Sequence, residues 1–300
     1  MTAFNARTVA LVGLGLISGS LARALKSSEW EGRLIAWGPR EPSLRRGLEL
    51  GVIDDYFLEL SDIVQQADFI VIGAPPVATG EMLNTLTSLV AESERQPIIT
   101  DLASIKGYVV EAMSVEYPLF VPGHPIAGSE HSGVEYADAA LFKGREVILT
   151  PLPTTDPAAV DEVTLMWSLT GAYIRQMSVK SHDAMLAASS HMPHIVSYAL
   201  TGALERDEAD PMIHGGGALR DMTRIAGSDP LMWTDISMTN RDALLEAIDK
   251  FGAELKLLRA MVETQNAEAM RSYFAICQTH RREHDNILNP LLQSTTEETS

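Results

Sequence analysis

The sequence has a single cysteine, few basic residues and no long apolar run. One cysteine, Cys277, among 300 residues excludes an intrachain disulfide and a multi-cysteine metal site, as is typical of proteins from a reducing cytosol. Lys and Arg number 23 against 40 acidic residues, and the resulting formal charge of -17 repels nucleic-acid phosphates and anionic lipid surfaces. No apolar run approaches the ~20 residues that cross a membrane. We therefore expect a cytoplasmic protein that binds neither nucleic acid nor membrane.

The composition is that of an ordinary globular protein. Hydrophobic residues make up 46% of the chain and charged residues 21%, which is enough to bury the core of one large or two ordinary domains. Near the N-terminus, Arg7 and the apolar run after it imitate a signal peptide. The same residues are better explained as a strand, a glycine turn and a helix.

That turn is the first motif with chemical meaning. The apolar run from Thr8 to Val12 precedes GLGLISGS, residues 13 to 20, which is a GxGxxG pattern with Ser18 in the third glycine slot. In such a motif the glycines let the backbone approach a pyrophosphate, and the helix that follows offers free N–H groups and a positive dipole end. A purely steric glycine turn is the alternative, but the position between strand and helix favours dinucleotide binding.

The end of the second predicted strand bears on the choice of cofactor. An NAD-preferring site usually has an acidic residue about 20 positions after the glycines, but here Trp37 is followed by Gly38, Pro39 and Arg40. Arg40 is suited to a 2′-phosphate, so NADP is slightly favoured over NAD. Glu41 nearby and an ordinary surface role for Arg40 remain alternatives.

Further strands alternate with helical patterns, which indicates a doubly wound parallel sheet. Asp68 to Ile72 leads into Gly73-Ala74-Pro75-Pro76, Pro97 to Thr100 leads into DLASIK, and a short strand from Leu119 to Pro122 precedes GHPIAGSEHSG, residues 123 to 133. Ligands bind beyond the carboxyl ends of such strands. The predicted cofactor-binding residues are Gly13, Gly15, Leu16, Ile17, Ser18, Trp37, Gly38, Arg40, Ala74, Pro75 and Asp101.

Several polar residues later in the chain admit more than one interpretation. His191 and His194 are spaced i, i+3 and suit one helix face, but a zinc site needs further ligands, so we predict no metal. Asp221 lies three residues before Arg224 and could orient it, although a solvated ion pair is the plainer interpretation. Gly217 ends a glycine triplet that either permits close approach of a ligand or breaks a helix.

Five segments in order resemble the prephenate and arogenate dehydrogenases of tyrosine biosynthesis. They are GLGLISGS, TDLASIKG, GHPIAGSEHSGVEYADAALFKGR leading into VILTP, SHMPH, and GGGALRDMTRIAGSDPLMW, and they run from about residue 8 to residue 240. Ser18 and Gly38 depart from the usual pattern, and Gly38 puts a preference for NAD in doubt. The resemblance implies oxidative decarboxylation of prephenate, arogenate or both, with hydride transfer to NAD or NADP.

The resemblance also implies roles for individual residues. His124 takes the proton of the substrate hydroxyl, a task that suits neutral imidazole, Ser104 binds the same hydroxyl, and Arg224 binds a carboxylate of the dianionic substrate. From the residues alone, a loop histidine that binds backbone groups explains His124 equally well, and His131 is expected at the surface. The implied substrate-binding residues are Arg224, His194, His191, Gly217, Asp221 and Trp233.

After Val179 strand patterns stop and apolar residues recur at three- and four-residue steps, as in Leu244, Ile248, Phe251 and Leu255. We therefore expect a dinucleotide-binding domain over 1–178, an all-α substrate and dimerisation domain over 179–291, and a disordered tail over 292–300. The helical stripes predict a homodimer, which light scattering would test.

Two other functions remain as alternatives to a prephenate or arogenate dehydrogenase. One is a short-chain β-hydroxyacid dehydrogenase or imine reductase, and the other, from a different class, is a non-catalytic NAD(P)-binding sensor.

Overall fold

A computed structural model describes residues 4–128 and 131–288. The expected tail over 292–300, and Ser129 and Glu130, lie outside the described residues. No helix among the described residues is both long and apolar enough to span a bilayer. Residues up to Leu244 form one compact unit, and residues from Leu245 onward form a second.

A six-stranded parallel sheet forms the centre of the first unit, as the alternating pattern predicts. The strands are β1 (Thr8–Val12), β2 (Arg33–Trp37), β3 (Asp55–Phe57), β4 (Phe69–Ile72), β5 (Ile98–Asp101) and β6 (Phe120–Val121). Their order is β3-β2-β1-β4-β5-β6. The order reverses between β1 and β4, so the carboxyl ends of these two strands mark the place where a parallel sheet binds ligands.

Helices cover both faces of this sheet, because strands β1 and β4 are apolar on both sides. Alternate residues of β1 belong to different hydrophobic clusters: Val9 and Leu11 pack on one side, and Ala10 and Val12 pack on the other. A strand buried on both faces reads as a continuous apolar run, which is what the sequence has here. The helices are α1 (Leu16–Lys26), α2 (Glu41–Glu49), α3 (Leu60–Gln66), α4 (Pro76–Ala91), α5 (Lys106–Glu111) and α6 (Pro157–Ser168).

A second, three-stranded sheet follows and changes one expectation. It consists of β7 (Gly123–Pro125), β8 (Glu146–Leu149) and β9 (Tyr173–Gln176), with β7 antiparallel to β8 and β8 parallel to β9. The segment from Gly123, interpreted above as a loop, therefore begins as a strand in which His124 pairs with Ile148. Pairing with the apolar β8 gives His124 a fixed backbone, which a free loop would lack.

The described residues from Val179 to Leu288 are mainly helical, as predicted. The helices are α7 (Val179–Leu186), α8 (Met192–Glu205), α9 (Gly217–Thr223), α10 (Pro230–Thr239), α11 (Arg241–Glu263), α12 (Ala267–Glu283) and α13 (Asp285–Leu288). A π-helical turn, Ala187–His191, joins α7 to α8. Within the first unit α7 packs on α5 and α10 packs on α4, so the helices that follow residue 178 extend its compact core. The domain boundary at 178 itself stays a prediction.

In the second unit, α11 and α12 are amphipathic but leave apolar side chains uncovered. Tyr273 donates a hydrogen bond of 2.7 Å to Glu254 and so links the two helices. Leu255, Val262, Phe274 and Ile276 are 51%, 64%, 53% and 71% exposed. An exposed apolar surface of this kind marks an association site.

Candidate active site

The glycine turn after β1 contains two glycines, Gly13 and Gly15, that are needed for different reasons. Gly13 has φ +97°, and a Cβ there would lie 2.4 Å from the carbonyl oxygen of Gly73, so the protein itself requires this glycine. Gly15 has φ -116°, and a Cβ there would meet nothing within 4 Å. The fold therefore does not require glycine at position 15, and the open space is what a bound pyrophosphate needs.

Helix α1 starts directly after this turn. Its N-cap residue, Gly15, makes no side-chain cap, so the first backbone N–H groups of the helix remain available for an anion. Ser18, in the third glycine slot, is buried at 1% exposure. A Cβ at Gly73 would lie 1.9 Å from its Oγ; the chain thus accommodates serine at position 18 because residue 73 is glycine.

Two adjoining cavities lie at the carboxyl ends of the strands. One, of about 910 Å³, extends from the glycine turn to Ser104 and His124, and the other, of about 370 Å³, lies beside the end of β2. The predicted cofactor residues that line one or both are Gly13, Gly15, Leu16, Ile17, Ser18, Trp37, Gly38, Arg40, Ala74 and Pro75. The residues that were predicted from the sequence therefore line the cavities, and their contact with a cofactor stays a prediction.

At the end of β2, cationic groups line the cavity and the nearby acid is engaged elsewhere. Arg40, Ser43 and Arg46 all line the larger cavity. Glu41 accepts hydrogen bonds from Arg45 at 2.7 Å and from the Tyr56 hydroxyl at 3.2 Å, and these bonds lower the pKa of its carboxyl group. Ser43 and Arg46 were missed by sequence reasoning, which stopped at the strand tip, although a helix starting at Glu41 places them one turn further along.

Asp101 is the exception among the predicted cofactor residues. It has no exposed surface, and it forms a short ion pair with the equally buried ammonium of Lys106. Its two oxygens also accept backbone N–H groups, from Gly123 at 3.1 Å and from Ala103 at 3.0 Å. The prediction that Asp101 contacts the cofactor is therefore corrected: it joins the loop that bears Ser104 to the strand that bears His124.

Lys106 completes this buried connection. Its ammonium donates to the Gly123 carbonyl oxygen at 2.6 Å as well as to Asp101. Burial lowers the pKa of Lys106, while the neighbouring Asp101 carboxylate opposes the shift. Lys106 stands in TDLASIKG, but the sequence offered no sign that an ammonium there would be fully buried.

His124 lines the larger cavity and belongs to a chain of three side chains. Its Nδ1 is 2.9 Å from Nε2 of His182, which has no exposed surface, and Nδ1 of His182 is 2.7 Å from Oδ1 of Asp183. Burial lowers the pKa of His124 well below its usual value, and the electrostatic effects of His182, Lys106 and His191 lower it further. Near neutral pH His124 is therefore an uncharged imidazole that can accept a proton.

The predicted substrate residues on α8 and α10 form a group next to this cavity. The His194 ring stacks on Trp233 with centroids 3.4 Å apart and planes inclined by 20°, and Trp233 packs with Ile105 and Ile236. Ile105 follows Ser104, and Ile236 lines the larger cavity. Burial lowers the pKa of His194, as does the charge of Arg224. None of the six predicted substrate residues lines the larger cavity as the described residues form it.

His191 lies beneath the pocket rather than on its surface. It is 2% exposed, and its Nδ1 is 3.1 Å from the Asn240 amide nitrogen. Burial lowers the pKa of His191 to about 4. Because the amide nitrogen is a donor, Nδ1 of His191 is the acceptor, so this histidine supports Trp233, whose ring centroid is 6.2 Å away.

One interpretation of a side-chain partner is wrong. Asp221 does not pair with Arg224 but with Arg220, at 3.2 Å and with both side chains at least 70% exposed. Arg224 starts the 3-10 turn that follows α9. His131 is exposed, as expected, and it also lines the larger cavity and stacks on Tyr136 with centroids 4.6 Å apart. Gly217 starts α9 in an exposed position.

Among the described residues, one group of side chains has the spacing of metal ligands. His280, Glu283 and His284 lie at the end of α12, in the second unit. His191 and His194, considered above as ligands, instead have Nδ1 atoms engaged by Asn240 and, at 3.0 Å, by the Ser190 carbonyl oxygen.

A parallel sheet with an open glycine turn, next to a cavity that contains a neutral histidine, defines a dinucleotide-binding protein of the dehydrogenase class. The chain belongs to the prephenate dehydrogenase family. The family model for the prephenate dehydrogenase nucleotide-binding domain matches residues 21–176, and the model for the dimerization domain matches residues 178–276. This confirms the resemblance seen in the sequence.

Curated relatives agree with the family assignment. The chain is 36% identical to a prephenate dehydrogenase of Bacillus subtilis (strain 168), over 91% of this chain and 75% of that one. It is 33% identical to a cyclohexadienyl dehydrogenase of Zymomonas mobilis, over 94% of this chain and 96% of the relative.

Solved structures show the same fold. Prephenate dehydrogenase from Aquifex aeolicus, in complex with hydroxyphenyl propionate and NAD+, has a TM-score of 0.85 and 31% identity, over 93% of this chain and 98% of that one. Arogenate dehydrogenase from Synechocystis has a TM-score of 0.78 and 25% identity, over 92% and 99% of the two chains.

Proposed function

We propose that this protein oxidatively decarboxylates prephenate, arogenate or both, and that it passes a hydride to a nicotinamide dinucleotide. The observation that carries the proposal is the placement of His124, a partly buried and uncharged imidazole, in the cavity that extends from the glycine turn. Membership of the prephenate dehydrogenase family supports the same reaction.

The reaction makes few demands on the protein. Prephenate is a cyclohexadiene with a hydroxyl on one ring carbon and a carboxylate on the opposite carbon, and loss of hydride, a proton and carbon dioxide leaves an aromatic ring. Aromatisation drives the reaction, so the protein needs to orient the ring and take one proton. His124 Nε2 accepts the hydroxyl proton, and Ser104, which lines the same cavity, holds the hydroxyl in position.

The anionic groups of the substrate require cations, because the overall charge of -17 repels them. Arg224 is exposed and acts electrostatically on His194, so it is available for a bidentate contact with a carboxylate. His194 and Trp233, stacked on each other, provide a flat surface beside the ring. In this proposal Gly217 and Asp221 contribute less to substrate binding than Arg224 does, because Asp221 is paired with Arg220.

The cofactor supplies the hydride acceptor when bound. The N–H groups at the start of α1 would hold its pyrophosphate, because Gly15 leaves open space there. For the adenosine end we favour NADP, because Arg40 and Arg46 line the cavity with Ser43 between them, while the carboxylate of Glu41 is engaged by Arg45.

The protein is proposed to act as a homodimer through its C-terminal helices. A match to a dimerization domain over residues 178–276 and the exposed apolar side chains of α11 and α12 support this arrangement. Light scattering is expected to give twice the mass of one 32.7 kDa chain, and a monomer would contradict it. The cytoplasmic location stays a prediction.

One assay tests the proposed reaction. The absorbance of reduced nicotinamide is followed with prephenate and with arogenate, each with NAD and with NADP. Growth of the band in at least one mixture is expected, and the four rates give both specificities. A flat trace in all four would contradict the proposal and favour a β-hydroxyacid dehydrogenase, an imine reductase or a non-catalytic sensor.

A further inference from the structure

His182 and Asp183 extend inward from His124, and the proton transfer described above does not use them. His182 Nε2 lies 2.9 Å from His124 Nδ1, and Asp183 Oδ1 lies 2.7 Å from His182 Nδ1. His182 has no exposed surface, and the side chain of Asp183 is 13% exposed. Three ionisable groups are thus aligned between the cavity and the interior.

The backbone of α5 determines which atoms in this chain carry protons. Asp183 accepts N–H groups from Lys106 at Oδ1, 3.0 Å, and from Gly107 at Oδ2, 2.7 Å. Burial alone would raise the pKa of Asp183, but the bonds from His182 and these two N–H groups lower it. The carboxylate is therefore ionised and only accepts hydrogen bonds.

The tautomers of both histidines follow from this. His182 must donate from Nδ1 to Asp183, so Nε2 of the neutral ring has a lone pair. His124 then donates from Nδ1 to His182, and the Nε2 of His124 is left without a proton. That is the form of His124 that can accept a proton from a substrate hydroxyl.

We propose that His182 and Asp183 are positioning residues that fix the tautomer and ring orientation of His124 and stabilise the positive charge it acquires. The inference rests on the proposed function and deepens it. In the reaction the substrate O–H bond breaks and an N–H bond forms at His124 Nε2. The extra positive charge is then shared through the Nδ1–H to Nε2 hydrogen bond and lies one ring away from the Asp183 carboxylate.

The other ionisable groups near His124 oppose a positive charge there, so the stabilisation has to come from Asp183. His182, Lys106 and His191 all act on His124 in this sense, although the charge of Lys106 is already compensated by Asp101. Asp183 is the carboxylate bonded directly to the histidine pair. Asn240 donates to the Asp183 carbonyl oxygen at 2.9 Å, which fixes the backbone of the same residue.

The competing explanation is that His182 and Asp183 only dock α7 onto α5. Three variants and a control separate the two. Asp183→Asn removes the charge, His182→Gln keeps an oxygen that can accept from His124 Nδ1, and His182→Leu removes the acceptor. The control is Ser178→Ala, because Ser178 caps α7 by accepting the N–H of Ser181 at 3.1 Å and lies outside the chain of three side chains.

Steady-state kinetics give the first readout. We expect kcat to fall roughly 10²- to 10⁴-fold in Asp183→Asn and His182→Leu, with KM for both substrates little changed. His182→Gln should retain more activity than His182→Leu at a similar melting temperature. Ser178→Ala should lower the melting temperature and keep kcat. If kcat instead follows the melting temperature across all four variants, the docking explanation holds and the proposal is wrong.

A second readout does not depend on turnover. In protein labelled with ¹⁵N-histidine, NMR should show His124 protonated at Nδ1 and unprotonated at Nε2 in the wild type, and this pattern should be lost in Asp183→Asn. A proton on Nε2 of neutral His124 in the wild type would overturn the inference. If the predicted tautomer is present but no substrate turns over, the proposed reaction fails while the positioning role stands.

Discussion

The ammonium of Lys106 donates a hydrogen bond of 2.6 Å to the carbonyl oxygen of Gly123, the residue that precedes His124. Both Lys106 and its carboxylate partner Asp101 are fully buried. The loop that carries Ser104 and the strand that carries His124 are thus joined by a buried ion pair. Removing one partner would leave the other charge in the interior without compensation.

Lys106→Met should therefore destabilise the fold by about 3 to 5 kcal/mol and lower kcat, because Asp101 is left charged and buried. Urea unfolding at a fixed protein concentration measures the first effect. Lys26→Met is a matched control, since Lys26 also donates to a carboxylate and a carbonyl oxygen, but at a partly exposed site. It should cost less than about 1 kcal/mol. Equal losses in both variants would contradict the account of the buried pair.

The two glycines at positions 73 and 15 should respond differently to alanine. A Cβ at Gly73 would lie 1.9 Å from Ser18 Oγ, so Gly73→Ala should cost roughly 1 to 3 kcal/mol through overpacking. Adding Ser18→Gly should recover much of the lost stability, as a double-mutant cycle measured by urea unfolding would show.

Gly15→Ala should leave the free energy of unfolding unchanged and weaken dinucleotide binding, because a methyl group there would fill the open space beside residue 15 that the dinucleotide is proposed to occupy. A stability loss at position 15 with normal binding would contradict this assignment.

Arg40→Ala tests the preference for NADP. If Arg40 binds the 2′-phosphate, its loss should raise KM for NADP roughly ten- to hundredfold, about 1.5 to 3 kcal/mol for a charge-assisted hydrogen bond, and leave KM for NAD nearly unchanged. Arg33→Ala, which removes a partly exposed arginine that pairs with Asp55 and lines neither cavity, should change neither value. Equal effects of Arg40→Ala on both cofactors would show that the residue does not read the phosphate.

Acid should destabilise the fold through His191. Its pKa is about 4 in the folded protein against about 6.5 unfolded, so between these values the unfolded chain binds more protons and stability falls as the pH falls. The loss from pH 6.5 to pH 5 should be about 2 kcal/mol for this group. Urea unfolding of wild type and His191→Gln across this range measures it. A variant with the slope of the wild type would mean that His191 does not contribute.

The architecture and one wall of the site could be predicted from local patterns. The apolar strands, the glycine turn and the helical stripe after Val179 are all short-range signals, and the loops they connect must meet at one edge of a parallel sheet. Ten of the eleven predicted cofactor residues line the two cavities for that reason. The prediction that Asp101 contacts the cofactor was wrong because the sequence does not show whether an acidic residue at the end of a strand is exposed or buried in an ion pair.

The inner part of the site could not be predicted, because it depends on contacts between distant segments. His182 is 58 residues from His124 and Asp183 is 77 residues from Lys106, and they meet because α7 packs on α5. The residues on either side of His182 do not show whether this histidine is fully buried or lies on an exposed helix. The sequence likewise does not show whether Asp221 pairs with Arg224 or, as in the structure, with Arg220.

The most direct test of the central claim is the turnover of His124→Asn beside the wild type, with prephenate and arogenate and with dinucleotide affinity measured separately. Because Asn can form hydrogen bonds but cannot take up the hydroxyl proton, kcat should fall roughly 10²- to 10⁴-fold while the dinucleotide still binds. An unchanged kcat in a variant that folds and binds cofactor would contradict the role of His124 as the base.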